Sequence, residues 1–157
     1  MLNIKPEEDK ELKKLLTELG RESKSKIVFL IDKSGQLISR SDSPAFSSDD
    51  ITFASLTAGN VAASEALSKL LGDKNLNHMF TETQNEGIYM VLLEGKYILV
   101  SIFDKNLSNL GIVRVKMKKF YSKLSTLIKK IEEREKEESK VSTDINLEEI
   151  DLDSLFK

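Results

Sequence analysis

Apolar positions recur along the chain in two rhythms, one helical and one extended, and together they lay out eight elements. Leu12, Leu15, Leu16 and Leu19 share one face of a helix that Pro6 opens, with Glu7, Glu8 and Asp9 in its first turn and Gly20 as a stop. A helix is therefore expected over 6–20. Lys26 to Asp32 is a nearly continuous apolar run rich in β-branched residues; Lys33-Ser34-Gly35 follows, and Gln36 to Arg40 is a second run. Run, glycine turn and run predict a β-hairpin. Residues 41–49 are polar and contain Pro44, as a loop would be, and Ser47, Ser48 and Asp49 are each suited to cap a second helix running to about Leu71, where Gly72 ends it. His78 to Thr83 reads as a short strand of mixed composition. Gly87–Leu93 and Tyr97–Phe103 flank Glu94-Gly95-Lys96 and form a second hairpin.

Beyond Asp104 two rhythms compete. Ile112 to Met117 alternates like a strand, yet Leu110, Val113, Met117, Phe120, Leu124, Leu127 and Ile131 fall at intervals of 3, 4, 3, 4, 3 and 4. Seven positions in helical register outweigh three in strand register, so a helix is expected from about Ser108 to Glu138. Residues 141–157 then carry Asp144, Glu148, Glu149, Asp151 and Asp153 against Lys157 alone. The chain thus divides into a domain over 1–138 and an acidic, flexible tail over 139–157 with too little apolar content to fold by itself. The order α-β-β-α-β-β-β-α implies an α+β fold: a mostly antiparallel five-stranded sheet, the middle helix on one face and the two terminal helices on the other.

Composition removes most chemistry from consideration. The 157 residues include no cysteine and one histidine, His78. That excludes disulfides, thiol nucleophiles, Cys-ligated zinc and any multi-histidine metal site. No glycine-rich phosphate-cradling motif occurs. No catalytic residue, metal or cofactor is assigned, and a lone His on a short strand reads as a surface or hydrogen-bonded structural residue. Twenty-four basic against 26 acidic residues leave a net charge of −2, too balanced to imply nucleic-acid binding. The seven cations from Arg114 to Lys130, with no acid among them, alternate with Val115, Met117, Phe120 and Leu124. They read as the wet side of a core helix, with a docking patch for an acidic partner as the alternative. No segment approaches 18 consecutive apolar residues and the N-terminus lacks an apolar signal core, so membrane insertion is not expected and the location is expected to be cytoplasmic.

The middle helix is the most informative element. Phe53, Leu56, Ala63, Leu67 and Leu70 are expected to pack on the sheet, while Ser55, Ala58, Gly59, Ala62 and Ala66 form a second, small-residue stripe beside Ser64. Between Ile51 and Leu71 only Glu65 and Lys69 are charged. The stripe either packs another element of the same subunit or lets another protein approach closely; low-charge surfaces of this kind favour the second reading.

The runs IVFLIDKSGQLIS, ASLTAGNVAASEAL, IYMVLLEG and ILVSIFDKNLSNLGIVRVKMKK resemble the Roadblock/dynein-light-chain superfamily over roughly residues 10–130. Within it they resemble the bacterial MglB family, partners and GTPase-activating proteins of the Ras-like GTPase MglA. The ASLTAGNVAA segment and the SNLGIVR helix start are the most specific pieces. The ending Glu149-Ile-Asp-Leu-Asp-Ser-Leu-Phe156 is similar to the acidic Leu-Phe tail of that family. The resemblance implies a homodimer in which two sheets join into one of ten strands, with paired middle helices as the platform for the GTPase. Ser55, Thr57, Ala58, Gly59, Ala62 and Ala66 would form that platform, with Asn60 as a further hydrogen-bonding group. It implies stimulation of hydrolysis through the GTPase's own catalytic residues, with polarity or motility as the process served. A Roadblock scaffold that binds without altering nucleotide turnover is the alternative. In the tail, Leu147, Ile150 and Leu155, with Leu152 and Phe156 adjoining, are either part of a solubilising end or a motif that docks as a helix on the partner.

Overall fold

The structure, a computed structural model, describes all residues except Met1, Ala45, Ser47, Ser48, Lys74, Phe156 and Lys157, and the backbone alone over 145–155. It contains α1 (Pro6–Ser23), β1 (Ile27–Asp32), β2 (Leu37–Arg40), α2 (Asp50–Leu70), β3 (His78–Glu82), β4 (Glu86–Leu93), β5 (Tyr97–Asp104) and α3 (Leu110–Leu155). The expected element order is the observed one. The strands form one sheet in the order β2-β1-β5-β4-β3, and every neighbouring pair is antiparallel.

Alternation along β1 and β5 builds a core on both faces of the sheet. Val28, Leu30, Leu99 and Phe103 point to one face, where Leu12, Leu16 and Leu19 of α1 and Val113, Met117, Phe120, Leu124, Ile128 and Ile131 of α3 cover them. Ile27, Phe29, Ile31, Ile98, Val100 and Ile102 point to the other, where α2 supplies only Ala54, Ala58 and Val61 as fully buried apolar partners. Strand β1 is buried along its whole length because it is covered from both sides. At Gly87, paired with Phe103 across the β4–β5 ladder, an added Cβ would lie 2.3 Å from the Phe103 ring, so the bare backbone is the seat of that ring. Phe80 of β3 stacks on the same ring at a 6.2 Å centroid distance.

Two helix ends differ from expectation. α1 runs past Gly20, which is buried inside the helix, where a Cβ would come within 3.5 Å of Val28 Cγ2. A Cβ there would make only ordinary contact, and the helix is stopped instead by Lys24 in the left-handed conformation, φ 56°. α3 continues through Leu155, beyond the end expected near Glu138. No Gly or Pro follows Gly111, and the Glu- and Lys-rich stretch after Ile131 propagates a helix well. Asn109 starts this helix, its Oδ1 accepting from the Ile112 N–H at 3.0 Å.

Arg134 ties the two terminal helices together. Its Nε and Nη2 donate to the two Glu8 carboxylate oxygens, each at 2.8 Å, and Nη2 also donates to the Asn3 carbonyl at 2.6 Å. The guanidinium holds the Glu8 carboxyl below its ordinary value.

Candidate protein-binding face on the middle helix

Helix α2 begins at Asp49, whose side chain accepts from the Thr52 N–H at 3.2 Å and from the Thr52 hydroxyl. Those two hydrogen bonds lower the Asp49 carboxyl pKa and keep the cap charged at the positive end of the helix dipole. Arg40 anchors the same end, its Nη1 2.6 Å from Asp50 Oδ2 and its guanidinium over the Phe29 ring. Lys33 pairs with Glu65 at 2.9 Å, fastening the middle of the helix to the β1–β2 turn. That turn is shaped by Asp32, whose Oδ1 accepts from the N–H groups of Ser34 and Gln36, and by Gly35 at φ 95°. A Cβ at Gly35 would lie 3.3 Å from the Ser55 Cα, so turn and helix meet there in close contact.

The face turned to the sheet is the reverse of much of the expected one. Ala54, Thr57, Ala58 and Val61 are buried, at spacings of three, one and three residues. Of the residues expected to pack inward, Phe53 alone does so, half-buried with its ring 4.9 Å from that of Phe29. Leu56 is 70% exposed, Leu67 61% and Leu70 84%, and Ala63 is exposed with them. The physical reason lies across the interface: Ile27, Phe29, Ile31, Ile98 and Val100 are large, so small helix residues let the axis approach the sheet.

Of the platform residues read from the sequence, Ser55, Gly59, Ala62 and Ala66 are exposed, whereas Thr57 and Ala58 are buried against the sheet. Asn60 is exposed. What the sequence reading missed is that leucines complete the outward surface. Leu56, Gly59, Ala63, Leu67 and Leu70 follow one another at three- and four-residue steps along the side away from the sheet, flanked by Ser55, Ala62 and Ala66. Ile51 and Leu71, 80% and 81% exposed, extend it at both ends. Large apolar side chains between small ones make a surface with knobs and hollows, suited to protein contact more than to a small ligand.

Of the four arginines, Arg40 and Arg134 are committed to carboxylates, and neither Arg21 on α1 nor Arg114 on α3 belongs to this helix. The tail positions Leu147, Ile150, Leu152 and Leu155 fall in the last turns of the α3 backbone, and Phe156 lies outside the described residues. Among the described residues no group of three His, Cys, Asp or Glu side chains is placed to hold a metal ion, and no helix is long and apolar enough to cross a membrane.

Residues 11–103, from α1 through β5, match the model of the Roadblock/LC7 domain. The chain belongs to the Roadblock/LC7 family. Among solved structures it is similar to Myxococcus xanthus MglB, with 36% identity, a TM-score of 0.71, and coverage of 76% of this chain and 96% of that one. It is also similar to the gliding protein MglB of Thermus thermophilus, with 26% identity, a TM-score of 0.74, and coverage of 82% and 96%. An uncharacterised protein of Aquifex aeolicus is 28% identical over 133 residues, 83% of this chain and 81% of the relative. The Roadblock/LC7 match contains the whole of α2 and its outward face, and ends before α3.

Proposed function

We propose that this protein regulates a Ras-like small GTPase of the MglA type, stimulating GTP hydrolysis by stabilising the GTPase's own catalytic residues. The observation that carries the reading is the outward face of α2, an exposed run of leucines and small residues in a domain similar to MglB. With no arginine on that helix, an inserted arginine finger is not part of the mechanism. The protein instead selects a hydrolysis-competent conformation of its partner by binding it more tightly than the others. Polarity or motility is the process such a switch would serve.

The working unit in this reading is a homodimer. β2 and β3 are the two edges of the sheet, and on the α2 side half-buried Met79, Ile88 and Leu92 lie towards the β3 edge. Joining two copies along β3 would cover that apolar surface, give ten continuous strands and bring both middle helices to one face. Residues 139–157 would act as a second contact that tunes binding or nucleotide exchange, with Leu147, Ile150, Leu152, Leu155 and Phe156 as its apolar side.

Single-turnover hydrolysis by the GTPase, with and without this protein, tests the reading, with Ala62→Arg as the comparison. Acceleration by the wild type that the bulky cation abolishes is the expected result. Stable binding without acceleration would make the protein a scaffold and overturn the activator reading.

A further inference from the structure

On the face of the sheet opposite α2, a cleft of about 380 Å³ opens between α3 and the β3–β4 hairpin. Its apolar lining is Val91 and Met117, and the rings of Tyr89 and Tyr121 contribute aromatic surface. Its polar lining includes Arg114 and Lys118 from α3 and His78 from the start of β3. The volume lies at the lower end of the range for small-molecule sites, roughly 300–1,000 Å³.

The charges around this cleft are unbalanced, whereas several other cations of α3 are partnered. Lys116 and Lys119 share Glu22, at 3.5 and 2.7 Å, and Lys129 lies 3.5 Å from Glu94. Lys123 stands over the Phe120 ring, 5.1 Å from its centroid. Arg114 and Lys118 have no carboxylate partner among the described residues, though both stand at the same cleft. Separated by four residues, they lie on one side of the helix, where two like charges repel. The remaining polar groups are organised around them. His78 Nδ1 lies 3.1 Å from the Tyr89 hydroxyl, and the Tyr121 hydroxyl accepts the Glu94 N–H at 3.1 Å, leaving its own proton to donate. Burial pushes the Tyr89 phenol pKa up, and the Arg114 charge opposes that push.

We propose that this cleft binds a small aromatic phosphomonoester. The dianionic head sits between Arg114 and Lys118, a planar donor fork beside a point charge, and neutralises both. The aromatic body rests on Val91 and the Met117 thioether between the tyrosine rings. The cleft lies across the sheet from α2, with His78 on the β3 edge along which the proposed dimer would join.

The single histidine makes the experiment direct, since His78 gives the full chain one imidazole signal in NMR. Phenyl phosphate is titrated at about physiological ionic strength, with inorganic phosphate and benzoate in parallel. The expected result is a saturable shift of the His78 signal with a Kd near about 1 mM for phenyl phosphate. Binding should be about tenfold weaker for each of the other two, which lack the body or the second charge. Arg114→Ala and Lys118→Ala should each weaken binding about tenfold without moving the melting temperature, whereas Lys130→Ala, outside the cleft, leaves it unchanged. No saturable shift by about 10 mM phenyl phosphate would overturn the proposal. Equal loss in Lys130→Ala would reduce it to diffuse charge attraction, and equally tight inorganic phosphate would remove the aromatic class; either overturns it.

Discussion

The two faces of this sheet are covered to different depths. On one, α1 and α3 bury leucines, Phe120, Met117 and three isoleucines or valines against it, and ion pairs such as Arg134–Glu8 lock the two helices to each other. On the other, a single helix rests on Ala54, Ala58 and Val61 and turns Leu56, Leu67 and Leu70 away. Buried apolar area stabilises a fold, whereas apolar area left outward stabilises only an assembly. The first face therefore holds the domain together, and the second is where its apolar surface remains available to a partner.

Emptying the thick face should have the largest effect. Phe120→Ala removes a fully buried ring and is expected to cost about 3–5 kcal/mol in denaturant unfolding. Overfilling the thin face comes next. Ala54→Leu forces α2 off the sheet and should cost about 1–3 kcal/mol, because the bulk required there is already supplied by Phe29 and Ile98. An outward change should separate stability from association: Leu67→Glu is expected to alter single-chain stability by no more than about 0.5 kcal/mol while weakening partner binding. If Leu67→Glu destabilised a dilute sample as much as Ala54→Leu, the two sides of α2 would not differ as described.

The smallest effect concerns acid. Pairing with Arg134 depresses the Glu8 pKa in the folded state, so the stability it contributes is fully present above 4.5, the ordinary value, and drains as pH falls through the lower folded one. Wild-type melting temperature should therefore drop more steeply below pH 4.5 than that of Glu8→Gln. Parallel curves would show that this half-buried pair adds nothing measurable.

Element order was legible because the signals were long and of one kind. Strands β1, β4 and β5 were nearly unbroken apolar runs, and the 3-4 stripe from Leu110 to Ile131 outvoted a short alternation. The rotation of α2 was not legible, for the reason that makes the helix interesting. With only Glu65 and Lys69 charged between Ile51 and Leu71, no polar arc marks the outside, and leucines and alanines both recur at helical steps. Size decided it: the sheet brings the bulk, so Ala54 and Ala58 go in and Leu56 and Leu67 stay out. Choosing the larger residues as core was an error of single-sequence reasoning, which sees one side of an interface. Gly20 misled for a simpler reason, because a glycine inside a helix has the same letter as one ending it.

The most direct test of the account is the affinity of a GTP-analogue-loaded MglA-type GTPase for the wild type and for a Leu56→Glu/Leu67→Glu variant, with circular dichroism checking that both are folded. The account predicts a folded variant that no longer binds. Undiminished affinity in that variant would contradict it and would move the binding surface away from the outward face of α2.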